Sequence, residues 1–216
     1  MSAREVILGR VRAALADGQA GEPGGDDALR HGYLRSHADA GADLTDLFAE
    51  RVADYRAVVT RVPAAGVPAA ITAAAAALGL TSVVAAPGLP PSWLPEVAGL
   101  TWLTDAPPLA APALGECGAA LTTAALGIAV TGTIVLDAGA GQGRRLLTLV
   151  PDVHLCVLRS DQIVADVPDA IARLDPVRPL TFISGPSATS DIELHRVEGV
   201  HGPRTLHVII AEAGHA

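Results

Sequence analysis

The chain has 216 residues, a formal net charge of −8 and a composition that is 50% hydrophobic but only 3% aromatic. All 15 basic side chains are arginine, and there is neither lysine nor asparagine. Schiff-base and pyridoxal chemistry, a lysine-bearing phosphate loop and an N-x-[ST] sequon are therefore excluded, and the acidic balance argues against broad nucleic-acid binding.

In chain order, residues 2–16 read as an amphipathic helix. Ser2 and Glu5 have capping-box spacing, and Val6, Ile7, Val11, Ala14 and Leu15 share a face. Residues 17–30 are rich in Gly, Asp and Pro and read as a flexible linker. The expected organisation is residues 1–30 as helix and linker and 31–216 as one α/β domain, a size that suits a single core. A second helix is predicted over 43–56, with Leu44, Leu47, Phe48, Val52 and Tyr55 at helical spacing. A strand over 57–62, a helix over 68–78 closed by Gly79, and a strand over 81–86 follow. This rhythm predicts a parallel pair joined by a right-handed crossover.

Further strands are expected over 100–104, in two runs within 119–136, and over 154–158, 180–184 and 205–211. Residues 137–143 read as a loop tip. Residues 162–174 read as helical, divided by Pro168, with Ile171 and Leu174 inward. The expected fold class is α/β, a central mostly parallel sheet flanked by helices, with some antiparallel pieces. Alanine fills 42 positions, so the core is built from many small side chains.

Two cysteines, Cys117 and Cys156, suit a reducing cytoplasm better than a disulfide scaffold. No signal core follows the charged first turns. Residues 62–95 carry no formal charge, but their prolines and Gly79 leave no stretch long enough for a membrane span.

Three segments can carry chemistry. Directly after the strand at 180–184 comes Gly185-Pro-Ser-Ala-Thr-Ser-Asp-Ile-Glu193. A polar loop at the carboxyl end of a strand offers amides and hydroxyls from Gly185, Ser187, Thr189 and Ser190 to an anion. Ser190 and Glu193 equally have capping-box spacing, with Asp191 suited to a helix start. Next, His201 lies in Gly199-Val-His-Gly-Pro203, where it can donate a proton or hold an anion. A hydrogen-bonded surface histidine is the plainer reading. Last, Thr131, Gly132 and Thr133 interrupt an apolar strand, marking either a kink or a ligand contact.

Gly139-x-Gly141-x-Gly143 departs from the dinucleotide fingerprint and opens no strand–helix unit. The following Arg144-Arg145 can grip a carboxylate or phosphate, although an exposed arginine pair is more commonly solvated. His154 and Cys156 share a face of a strand, which leaves a thiol nucleophile as an outside reading. The histidine spacings match no metal motif.

Gly-Ile-Ala-x-Thr-Gly-Thr at 127–133, Leu-Val-Pro-Asp-Val-His at 149–154, Gly-Pro-Ser-x-Thr-x-Asp-Ile-Glu at 185–193 and Gly-Val-His-Gly-Pro at 199–203 together resemble the LUD-domain family, of the lactate-utilisation protein C subfamily. The resemblance covers roughly residues 43–212. It implies a fold like that of phosphopentose isomerases and coenzyme A transferases, and a cytoplasmic role in oxidising L-lactate to pyruvate. It also implies partner proteins that carry iron–sulfur clusters. This chain itself is expected to hold no cofactor, because two cysteines are too few for a four-thiolate cluster. The family's usual acidic residue before Thr-Gly-Thr is replaced by Val130, and Ala124 and Ala125 stand where another is common.

The leading expectation is a component of a lactate-oxidising system that binds a small carboxylate or phosphate. Thr131, Gly132, Thr133, Gly185, Ser187, Thr189 and Ser190 would form the anion site, and His201, Asp191 and Glu193 would serve any acid–base step. The alternatives are a stand-alone isomerase- or acyl-transferase-type enzyme acting on a phosphorylated or coenzyme A-linked substrate, and an adaptor that docks iron–sulfur subunits through the 2–16 helix.

Overall fold

The computed structural model describes residues 2–18, 41–189, 197–198 and 202–212. The chain divides into two units, Met1–Leu34 and Arg35–Ala216. In the first, helix α1 spans Ala3–Gly18. Its capping box forms as spaced: the Ser2 amide donates to Glu5 Oε2 at 2.7 Å, and the Glu5 amide donates to Ser2 Oγ at 3.3 Å.

The second unit is α/β, built on a six-stranded sheet. In chain order its strands are β1 (Val58–Pro63), β2 (Ser82–Ala85), β3 (Thr101–Thr104), β4 (Ala119–Thr123), β7 (Val153–Arg159) and β12 (Thr205–Glu212). They run in the spatial order β1-β12-β7-β4-β2-β3, every pair parallel. The central strands are buried on both faces, so they read as continuous apolar runs without alternation.

One expectation is corrected here. β1 and β2 are parallel but are not neighbours. β1 pairs with β12, Val58 opposite His207, and three strands separate it from β2. β12 is apolar on both faces and needs a neighbour on each side, which β1 and β7 supply.

Helix α2 (Leu44–Asp54) is capped by Asp43, whose carboxylate accepts from the amides of Thr45 and Asp46. Its Phe48 and Val52 are fully buried with Cys156, Leu158, Val208 and Ile210. Helix α3 (Val67–Ala77) carries Pro68 in its first turn and covers the other face, with Ile71 and Ala74 packed among Leu121, Leu155, Val157 and Ile209. It has 11 residues, and no described helix is long and apolar enough to cross a membrane. A short helix α4 spans Ala111–Gly115.

A second sheet of order β8-β5-β6-β9 uses β5 (Leu126–Ile128), β6 (Thr133–Leu136), β8 (Ile163–Val164) and β9 (Thr181–Ile183). The segment 127–136 is therefore an antiparallel hairpin, not one kinked strand. Glycine at 127 is a packing requirement. A Cβ there would lie 2.7 Å from Leu158 Cδ2 and 2.9 Å from Phe48 Cε2.

The 162–174 reading is corrected too. Ile163–Val164 is a strand parallel to β5, and helix α5 spans only Val167–Arg173, capped by Asp166. Ala170 faces inward beside Leu126 and Val135, Leu174 packs against that cluster, and Ile171 is 54% exposed. A minimal hairpin, β10 (Ala188–Thr189) with β11 (Val197–Glu198), completes the described elements.

Candidate functional site

The Gly185 loop follows β9, but β9 lies in the second sheet, antiparallel to β6. The expected position, at the carboxyl end of a parallel strand, is therefore wrong. The loop instead meets the first residues of β7 and β12, with the Ser187 amide donating to Pro203 O at 2.8 Å. A cavity of about 170 Å³ lies there, lined by Arg145, Thr148, His154, Ser184, Gly185 and Ser187 and walled by Phe182 and Leu206. Gly185 has φ +91°, and a Cβ would sit 2.6 Å from Tyr55 Cβ, so only glycine lets the loop close against the end of α2.

The two consecutive arginines have opposite fates. Arg144 donates through Nε and Nη2 to the Asp105 carboxylate at 2.7 and 2.9 Å, and Nη2 also reaches Leu109 O. That pair holds the Asp105 carboxyl below the usual carboxylate range. Arg145 has no acidic partner among the described residues. Its Nη1 donates to Thr148 Oγ1 at 2.6 Å, both residues line the cavity, and partial desolvation lowers the Arg145 pKa.

The cavity floor is His154, 1% exposed, with Nε2 at 2.8 Å from Thr122 Oγ1. Burial, reinforced by the charge of Arg145, lowers its pKa to about 4, so the imidazole is neutral near pH 7. Cys156 shares that face as its spacing predicts, but burial pushes its thiol up to about 12, and Thr122 offsets only part of this. No thiolate–imidazolium pair exists, and the nucleophile reading falls.

Thr131 and Thr133 form a hydroxyl chain. Their Oγ1 atoms are 2.7 Å apart, and Thr133 Oγ1 lies 2.7 Å from Ser184 Oγ. Thr133 is thus one hydrogen bond behind the cavity wall, and Thr131 two. Gly132, at φ +58°, lets its turn approach α2, since a Cβ would lie 2.6 Å from the Arg51 carbonyl carbon. Asp191, Glu193, Ser190 and His201 lie outside the described residues, as does the side chain of Thr189, whose backbone pairs with Val197. Among the described residues no His, Cys, Asp and Glu cluster could hold a metal.

Sequence reasoning missed Thr148, Ser184 and the floor role of His154, and it weighed Arg145 only as half of a pair. The spacing of Thr148, three residues after Arg145, was the available signal.

Residues 111–211, which include every residue that lines this cavity, match the LUD domain. A Deinococcus radiodurans protein named lactate utilization protein C is 49% identical over 174 residues, 78% of this chain and 80% of that one. The chain belongs to the LUD-domain family. Among other relatives, a Bacillus pumilus lactate utilization protein C is 36% identical over 92 residues, 38% of either chain. The Escherichia coli K12 protein YkgG is 36% identical over 95 residues, 40% of this chain and 41% of that one. The chain thus matches only about two fifths of the length of these two relatives. A crystal structure of a DUF162 family protein from D. radiodurans superposes with a TM-score of 0.67 at 39% identity, over 83% of this chain and 99% of that one.

Proposed function

We propose that this LUD-domain chain is a component of an L-lactate utilisation system and holds a small carboxylate in the Arg145 cavity. Kinship with the lactate utilization protein C of D. radiodurans supports the system. The observation that carries the ligand is the Arg145 guanidinium, unneutralised by any described carboxylate, in a cavity that Thr148, Ser184 and Ser187 also line. Guanidinium and hydroxyl donors suit a carboxylate, and neutral His154 adds no competing charge. A space of about 170 Å³ suits a three-carbon acid and falls below the several hundred Å³ of larger ligand sites.

On this reading His201 supplies a switchable positive charge, and Asp191 and Glu193 serve any proton transfer. Thr189 and Ser190 extend the anion site, and Thr131, Gly132 and Thr133 support it from behind. Electron transfer belongs to iron–sulfur partner subunits in the cytoplasm, since Cys117 and Cys156 are both buried. On the same reading residues 1–30 are an N-terminal helix and linker, and 31–216 are the LUD domain, in the manner of the phosphopentose isomerases and coenzyme A transferases.

Calorimetric titration with L-lactate and pyruvate tests the site. Saturable binding that falls at least about tenfold in Arg145→Gln is expected. No binding, or undiminished binding in the variant, overturns it. If His201→Ala and Asp191→Ala variants fold and still support growth on lactate, the roles given to those two residues fall.

A further inference from the structure

A second and larger cleft lies at the opposite end of the parallel sheet. β2 has β3 on one side and β4 on the other, so the strand order reverses between β2 and β4. In open α/β sheets the crevice outside the carboxyl ends at such a reversal is where ligands bind. Here that crevice is a cleft of about 740 Å³, lined by Thr123 at the end of β4, by Arg159 at the end of β7 and by Trp93 in the segment after β2.

The floor is built. The Asp137 carboxylate accepts from the Gly139 amide at 3.1 Å, from Gln142 Nε2 at 2.7 Å and from Arg178 at 2.8 Å. The Gly141 amide donates to Pro87 O, and Gly141 O accepts from the Thr123 amide, so the glycine loop is tied to the ends of β2 and β4. The lining of the cleft carries one more arginine than carboxylate. Arg159, Arg173 and Arg178 face it against Asp137 and Asp161. Arg159 pairs only with exposed Asp161, and Arg173 makes no ion pair with a described residue.

We infer that this cleft binds an organic phosphate of nucleotide size, with Arg159 and Arg173 on its phosphates and the Trp93 indole beside its ring system. Two or more anionic groups suit the arginines, which bind phosphate oxygens in pairs. The volume exceeds what a three-carbon acid fills and falls in the range of larger organic ligands. The Trp93 indole lines the cleft while packing partly against the core, and a large aromatic side chain there suits a planar ring. The cleft shares no lining residue with the Arg145 cavity, so the inference stands apart from the carboxylate reading.

ADP, adenosine, pyrophosphate and L-lactate serve as probes of the full chain, read by calorimetry and by tryptophan fluorescence, with Trp102→Phe leaving Trp93 as the remaining indole. ADP is expected to bind saturably, with adenosine and pyrophosphate each at least about tenfold weaker. Arg159→Ala with Arg173→Ala, both on exposed side chains, is expected to weaken ADP at least about tenfold. Arg145→Gln is expected to leave ADP binding unchanged. No saturable ADP binding at millimolar concentration overturns the inference, as does an unaffected double variant. Pyrophosphate binding as tightly as ADP overturns the organic ligand, and displacement of ADP by lactate overturns the separate site.

Discussion

Replacing Asp105 by Asn tests how Arg144 and Arg145 are kept apart in function. Asp105 is 5% exposed and accepts three hydrogen bonds, two from Arg144 at 2.7 and 2.9 Å and one from the Leu109 amide at 2.8 Å. Asparagine keeps one acceptor but turns an NH2 group toward a guanidinium. Breaking a fully buried pair costs about 3–5 kcal/mol. The Arg144 side chain is 33% exposed, and solvent screens part of that, so about 2–3 kcal/mol is expected.

The pH dependence gives the sharper test. Hydrogen bonding to Arg144 lowers the Asp105 pKa in the folded state. Its contribution is therefore fully present above the unfolded carboxyl pKa of about 3.9 and is lost as pH falls through the lower folded value. Urea unfolding of wild type and Asp105→Asn should show the full gap at pH 7 and a shrinking gap once pH drops below about 4. A gap under about 0.5 kcal/mol at pH 7, or one that does not change on acidification, refutes this account of the pair.

Gly132→Ala forces a Cβ onto the Arg51 carbonyl and strains φ +58°; a loss of about 2–4 kcal/mol is expected, or roughly 5–15 °C in the melting midpoint, and a calorimetric scan within a degree or two of wild type would contradict it. Cys117 and Cys156 are buried with raised pKa values, so Ellman's reagent should react slowly with the native chain and with both thiols after unfolding; rapid native labelling of Cys156 would sink the burial argument. His154 has a folded pKa of about 4 against an ordinary 6.5, so the unfolded chain binds more protons between those values. Stability should climb with pH across that window, and His154 ring resonances in NMR should stay in their neutral positions from pH 8 down to about 5; titration near 6.5 would place the ring in solvent.

Much of the fold was legible locally. The capping box of Ser2 and Glu5, Pro68 in the first turn of α3, Gly79 after it, and the apolar runs of β4, β7 and β12 all occur where period and punctuation put them. The site was less legible. Gly185 and Ser187 do line a cavity, yet Gly132 serves close packing against α2, and Ile171 is exposed because the short helix at Pro168 turns Ala170 inward instead.

Side-chain period, turn chemistry and the absence of lysine can be read along the chain, so the sequence by itself determined most element types, the α/β class and the excluded chemistries, Ile163–Val164 being a strand where a helix was expected. Partner choice is not local. β1 finds β12 from Val58 to His207, far along the chain, β9 joins the second sheet, and Asp105 takes Arg144 and leaves Arg145 for the cavity. Those pairings depend on which distant surfaces come to lie together once apolar faces are buried, and only the tertiary structure decided them.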